Sequence, residues 1–137
     1  MSDAPARKPW WRRWFGSRSE RAAFRYLRRQ GFRLLRRNYR CPHGEIDAVA
    51  EEAGCVVFVE VRSTGTDDPG RPALSVDDAK QRRLTNVALH YLQEHRLLGQ
   101  AARFDVLAMS WPEGQREPRI VHYRQAFEAV GRWQMYS

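Results

Sequence analysis

Two periods of apolar and polar residues alternate along this chain, and they divide it into helices and strands. From Ser17 to Gln30 the residues Glu20, Ala23, Phe24 and Leu27 recur at i, i+3, i+4 and i+7, the spacing of one helix face, and Gly31 supplies a stop. The opposite face is arginine: Arg18, Arg21, Arg25, Arg28 and Arg29. "FRLLRRNYR" then predicts a strand and "CPHG" a turn, and two strands at 45–50 and 55–62 flank the turn "EEAG". "TGTDDPGRPALS" is rich in Gly, Pro and Asp and reads as a loop, long enough to serve a site. A helix from Asp77 to His95 follows, with Ser75 or Asp77 as its cap and Leu84, Val87, Ala88, Tyr91 and Leu92 on its buried side. "ARFDVLAMSW" predicts a strand, "PEGQREP" a turn, "RIVHY" an edge strand and "RQAFEAVGRW" a short closing helix. The order α-β-β-β-α-β-β-α describes an α/β domain, a mixed sheet with helices packed on it. Residues 1–16 hold two prolines and no sustained period, so they read as a mobile basic Trp/Arg arm ahead of one domain at 17–137.

The central hairpin breaks its own apolar pattern. Side chains alternate along a strand, so Glu45 and Asp47 share one face, and so do Phe58, Glu60 and Arg62. With "EEAG" as a four-residue turn, Ala50 opposes Cys55, Asp47 opposes Phe58 and Glu45 opposes Glu60. Asp47 and Glu60 then become diagonal neighbours on one face, roughly 7–8 Å apart. Val57, Val59 and Val61 cover the other face, which makes the strand an interior one. Two carboxylates in a poorly solvated site repel, and a hard divalent cation with oxygen ligands relieves that strain. Mg²⁺ suits the place, since it prefers one or two carboxylates plus water and substrate phosphate. The alternative is structural: Glu60 pairs with Arg62 or another arginine, and Asp47 caps the turn.

Two further residues carry the same ambiguity. Ser17-Arg18-Ser19-Glu20 fits a capping box, yet Glu20 also lies on the apolar face, where it could join the outer shell of a metal. Lys80 stands four residues before Leu84, so it either snorkels over the buried stripe or delivers a cation to the site.

Composition narrows the class of protein. The 137 residues, 42% of them hydrophobic, suffice for one domain with one core. Cys41 and Cys55 form no paired framework, which fits a reducing, cytoplasmic setting. No apolar run approaches a membrane span of ~18 residues, and no apolar core of a secretory signal is visible. Membrane insertion is therefore not expected. Thirteen Arg/Lys against two acids give residues 1–40 a charge of +11, and eleven against fourteen leave the remainder at −3. A positive field concentrated at one end points to a polyanion as partner, above all a nucleic acid. Cys41-Pro42-His43 lacks the paired spacing of a zinc site. No phosphate-binding glycine loop and no Ser-His-Asp arrangement is evident.

The ordered set "GSRSERAAFRYLRRQGFRLLRRNYRCPHGEID", "VFVEVR", the lysine after the loop and "RFDVLA" resembles the YraN family, grouped with the restriction-endonuclease-like PD-(D/E)xK nucleases. The resemblance runs from Gly16 to Phe127. It implies a restriction-endonuclease-like mixed β-sheet flanked by helices, with a Mg²⁺ or Mn²⁺ site. Glu20 then matches the first-helix acid, Asp47 the metal-binding aspartate, Glu60 the acid of the E-x-K pair, and Lys80 a lysine common after the loop. Arg103 and Asp105 match the "RFD" strand, where a buried ion pair is the favoured reading. Arg62 departs from the pattern, for the superfamily usually has lysine there, and arginine stays protonated and can only orient and neutralise charge. The similarity of acid layout to Holliday-junction resolving enzymes implies an endonuclease of branched or structured DNA, bound through the arginines of the first helix, with a homodimer as a compatible assembly. The alternative is a non-catalytic nucleic-acid-binding protein that keeps the fold.

Overall fold

The computed structural model describes residues 10–64 and 78–127. Among them the elements are α1 (Trp10–Arg29), β1 (Arg33–Cys41), β2 (Gly44–Glu52), β3 (Cys55–Thr64), α2 (Asp78–Glu94), β4 (Ala102–Ser110) and β5 (Arg119–Phe127). The strands form one sheet in the order β1-β2-β3-β4-β5. Neighbours are antiparallel except β3 and β4, which run parallel and are joined through α2. This is the expected restriction-endonuclease-like architecture.

The core lies in two layers because β3 is interior and alternates. Val57, Val59 and Val61 face Ala23, Phe24 and Leu27 of α1. Val56 and Phe58 face Val87, Tyr91 and Leu92 of α2. Each fully buried side chain of this size contributes about 1.5–3 kcal/mol. One helix therefore covers each face of the sheet.

Four expectations need correction. Helix α1 begins at Trp10, directly after Pro9 in the sequence, so part of the segment read as an arm is helical. Ser17 then lies in a helix interior, and the proposed capping box has no helix start to cap. Residues 124–127, assigned to a closing helix, continue β5 instead. Thr64, expected to open the loop, closes β3 instead, while the rest of that loop, the rest of the closing helix, residues 1–9 and both proposed caps of α2 lie outside the described residues.

The fourth correction concerns register. Ala53 and Gly54 both take positive φ, 52° and 82°, which is the two-residue hairpin turn whose twist matches that of the strands. Glu52 therefore pairs with Cys55 and Ala50 with Val57, two residues away from the register that a four-residue turn dictates. A two-residue shift preserves faces, so the predicted faces hold as far as the β2–β3 pairing extends.

The sheet then divides. Pairing between β2 and β3 ends at Ala48–Val59, but β1–β2 pairing continues to Cys41–Gly44 and β3–β4 pairing to Thr64–Ser110. Asn38, with φ of 50°, reverses the alternation of β1 at this level. Arg37 lies over Phe24 on the α1 side, while Tyr39, two residues on, belongs to the α2-side core. Opposite them on β2, Ala48 faces α1 and Ile46 faces α2. The β1–β2 tip is thus turned away from β3, leaving a fork.

Candidate metal and nucleic-acid site

Asp47 sits where the fork opens, between the last pairs of its strand. Its side chain is 1% exposed, and Oδ2 accepts the backbone N–H of Val61 at 2.7 Å, standing in for the strand partner that is missing there. Asp47 is the residue next to the last β2–β3 pair, Ala48–Val59, and Glu60 is its counterpart next to that pair on β3. Glu60 is 4% exposed, and its Oε2 lies 2.8 Å from Nζ of Lys80. Lys80, near the start of α2 and 22% exposed, therefore reaches into the fork rather than lying over the apolar stripe. Arg62 is half-buried on β3, two residues beyond Glu60 and level with Ala108 of β4.

Glu20 approaches from the other side. It is half-buried on α1, one turn before Ala23 and Phe24, and α1 covers the face opposite to Lys80 and α2. Among the described residues no three His, Cys, Asp or Glu side chains gather as a group able to hold a metal. The donors at the fork, the carboxylates of Asp47 and Glu60, are all oxygen. They fit Mg²⁺ or Mn²⁺, which needs no more than one or two protein carboxylates and completes its shell with water.

The fork is braced from both sides. At the β1–β2 tip Gly44 has φ of 138°, and a Cβ there would lie 3.4 Å from Cγ of Arg83 and 3.5 Å from Val87. Those are ordinary contact distances, so it is the backbone conformation, rarely adopted by L side chains, that favours glycine where the tip meets α2. Tyr39 donates its O–H to Glu94 at 2.8 Å, so its oxygen accepts from Nδ1 of His90, also at 2.8 Å. Burial and the bond to Glu94 push the Tyr39 phenol up from its ordinary value. The ring of His43 packs edge-on against His90, with centroids 5.9 Å apart. These contacts fix the helix that carries Lys80.

On the other face a buried network ties α1 to β4 and β5. Asp105 is fully buried and accepts four bonds: two from Arg103 at 2.9 and 3.2 Å, one from Nε2 of His122 at 2.8 Å, and one from the N–H of Gln125 at 3.0 Å. Burial pushes the Asp105 carboxyl up, but the bonds from His122, Arg103 and Gln125 outweigh it, and the net direction is down. Because that carboxylate only accepts, His122 carries its proton on Nε2. Its Nδ1 lies 3.0 Å from the hydroxyl of Tyr26. Arg103 also donates to Glu52, which is bound in turn by Arg124. Phe104 faces Phe127 and Val106 faces Tyr123, so a two-residue step on β4 meets a four-residue step on β5. The extra residues, with Gln125 at φ of 50°, wrap the carboxylate. The buried ion pair expected in "RFD" is thus the centre of a larger structural network.

Arg18, Arg21, Arg25, Arg28 and Arg29 are all exposed along α1. Arg18 has a partner that sequence reasoning missed: its guanidinium carbon lies 3.6 Å above the ring centroid of Trp111. Trp111 donates Nε1–H to Ser19, and Ser19 donates to Ser63, each at 2.9 Å. No local pattern links residues so far apart, although a tryptophan closing a strand beside a loop was a visible signal.

Comparison with known proteins agrees with this architecture. The model of the uncharacterised protein family UPF0102 matches residues 19–109. A UPF0102 protein of Syntrophus aciditrophicus is 46% identical over 119 residues, covering 85% of this chain and 91% of the relative. One from Myxococcus xanthus is 45% identical over 118 residues, covering 86% and 92%. A relative from Rhodopirellula baltica is 44% identical over 119 residues, covering 85% and 71%. Among the described residues no helix is long and apolar enough to cross a membrane.

Proposed function

The chain belongs to the UPF0102 family, and we propose that it is a Mg²⁺- or Mn²⁺-dependent endonuclease that hydrolyses phosphodiester bonds of DNA. The observation that carries this reading is the ion pair of Lys80 with Glu60 at 2.8 Å, beside Asp47 in the fork. Two acids and a lysine come together there although Arg62 occupies the position where a lysine is usual. The lysine simply arrives from α2 instead of β3.

Asp47 and Glu60 would hold the metal, which when bound would polarise the scissile phosphate and lower the pKa of a water molecule. Lys80, anchored by Glu60, stands ready to hydrogen-bond the attacking water or a phosphate oxygen. Arg62 neutralises phosphate charge and orients it, since a guanidinium does not give up its proton at working pH. The arginines of α1 hold backbone phosphates without reading sequence. A branched or structured DNA, and a two-fold pair of chains acting on it, are the finer form of the proposal, and a cytoplasmic location goes with it. It is tested by incubating linear, flapped and four-way DNA with Mg²⁺ or Mn²⁺ and with EDTA, comparing wild type with Asp47→Ala. Metal-dependent cutting by wild type alone is the expected result, and equal cutting by both proteins would sink the assignment.

Arg62 also favours a second reading, a nucleic-acid-binding protein that keeps the fold without turnover. That protein would bind DNA in a salt-sensitive way, cut none of it with any metal, and bind equally well as Asp47→Ala.

A further inference from the structure

We propose that Trp111 is a stacking platform for an unpaired base, so that the site takes DNA that is single-stranded beside the bond it cuts; the inference rests on the nuclease reading above. Trp111 follows Ser110, the last residue of β4, which pairs with Thr64, the last of β3. Its indole therefore stands at the carboxyl ends of the two parallel strands, the edge of an α/β sheet where ligands bind. Ser63, to which the indole is tied through Ser19, is three residues beyond Glu60, or about 10 Å along the strand. Ser19, Ser63 and Trp111 lie on the α1 side of the sheet and Glu60 with Lys80 on the α2 side, so a strand passes from one to the other round the carboxyl ends of β3 and β4.

The ring is held as a platform should be. Its N–H is engaged inward by Ser19, itself 1% exposed, and the Ser19 hydroxyl is engaged in turn by Ser63. This relay fixes the edge of the indole, the ring packs in part against the α1-side core, and Arg18, an exposed side chain, lies over it at 3.6 Å. A guanidinium on a partly exposed ring is a weak, exchangeable occupant, and a nucleobase on an aromatic face is a stronger one. A base that takes its place frees Arg18 for the phosphate of the same strand. From Arg18 the exposed Arg21, Arg25 and Arg28 continue the path along α1. A base inside a duplex is already stacked and cannot reach the ring without leaving its helix, so the platform discriminates paired from unpaired DNA.

The test uses the full-length protein in EDTA, which separates binding from cutting. The probes are a single strand containing 2-aminopurine and the same strand in a perfect duplex. Wild type should quench the fluorophore in the single strand and leave it nearly unchanged in the duplex. Trp111→Phe should retain the quenching. Trp111→Leu, apolar but without a π-face, should weaken single-strand binding about 5- to 100-fold and duplex binding less than about twofold. Unchanged single-strand affinity in Trp111→Leu, or equal quenching of single strand and duplex by wild type, overturns the platform and leaves the nuclease reading standing. Should the Leu variant fail to fold, the wild-type and Phe measurements still decide. A wild-type protein that binds neither probe overturns the nuclease reading itself.

Discussion

Replacing Asp105 with Asn should expose how much of the fold hangs on one buried carboxylate. Asn is nearly isosteric, but at the position of Oδ2 it presents either a neutral oxygen or an NH₂ group. Arg103 and His122, both donors, lose their shared anion, and Arg103 keeps only Glu52. Breaking a buried ion pair from one side costs about 3–5 kcal/mol. Arg103 is 17% exposed and retains Glu52, so the lower end, ~3 kcal/mol, is expected. For a chain of this size that is a fall in Tm of roughly 10–15 °C. The pH dependence adds a second check. The folded pKa of Asp105 is depressed, so its contribution is fully present above the ordinary carboxylate range and is lost as pH falls through the depressed value. The stability gap between wild type and variant should therefore be constant near neutrality and close progressively below about pH 5. Urea unfolding followed by circular dichroism from pH 7 to pH 3 measures it. A gap below ~1 kcal/mol at pH 7, or one that stays constant into acid, would refute the account.

Three other outcomes follow from separate parts of the molecule. Lys80→Met should reduce metal-dependent cleavage at least about 100-fold, whereas Arg62→Lys should preserve or raise it; the opposite pattern in single-turnover assays would give the lysine role to position 62. Arg21→Ala, Arg25→Ala and Arg28→Ala together should lower the slope of log affinity against log salt by about 0.9 on duplex, or 0.7 on single strand, for each phosphate left without its arginine, and an unchanged slope would move the binding face elsewhere. Ala53 occupies a left-handed conformation that Asn tolerates better, so Ala53→Asn should raise stability by about 0.5–1 kcal/mol in denaturant melts, and a fall in stability would contradict the turn geometry.

What the sequence disclosed and withheld divides along physical lines. Alternation predicts a common side for Asp47 and Glu60, and the two-residue error in register leaves that parity intact as far as Ala48; beyond it Ala48 and Ile46 face opposite helices, so parity alone no longer fixes the side of Asp47. The turn itself was illegible, since Ala53 carries no preference for the positive φ that it adopts. Stripe spacing identified both helix faces, but the arrival of Lys80 at Glu60 depends on how α2 docks against the β1–β2 tip, a matter of tertiary packing around Gly44. The start of α1 was missed although Trp10, Trp11, Trp14 and Phe15 recur at helical spacing, because Pro5, Pro9 and Gly16 on either side read as breakers. The relay from Tyr26 through His122 to Asp105 joins residues almost a hundred positions apart, and a single sequence holds no record of such a meeting.

The bulge on β5 also governs how copies of this chain can meet. A sheet is open to growth at its outer strands, where unpaired N–H and C=O groups invite another strand. Here the outer strands are β1 and β5. β1 bears Arg33, Arg36, Arg37 and Arg40, all exposed, so two such edges repel. β5 is bent out of register at Gln125, whose N–H is turned inward to Asp105 and is not offered to a neighbour. Among the described residues neither outer strand offers a straight, neutral edge, so growth of the sheet by strand pairing between copies is disfavoured at both.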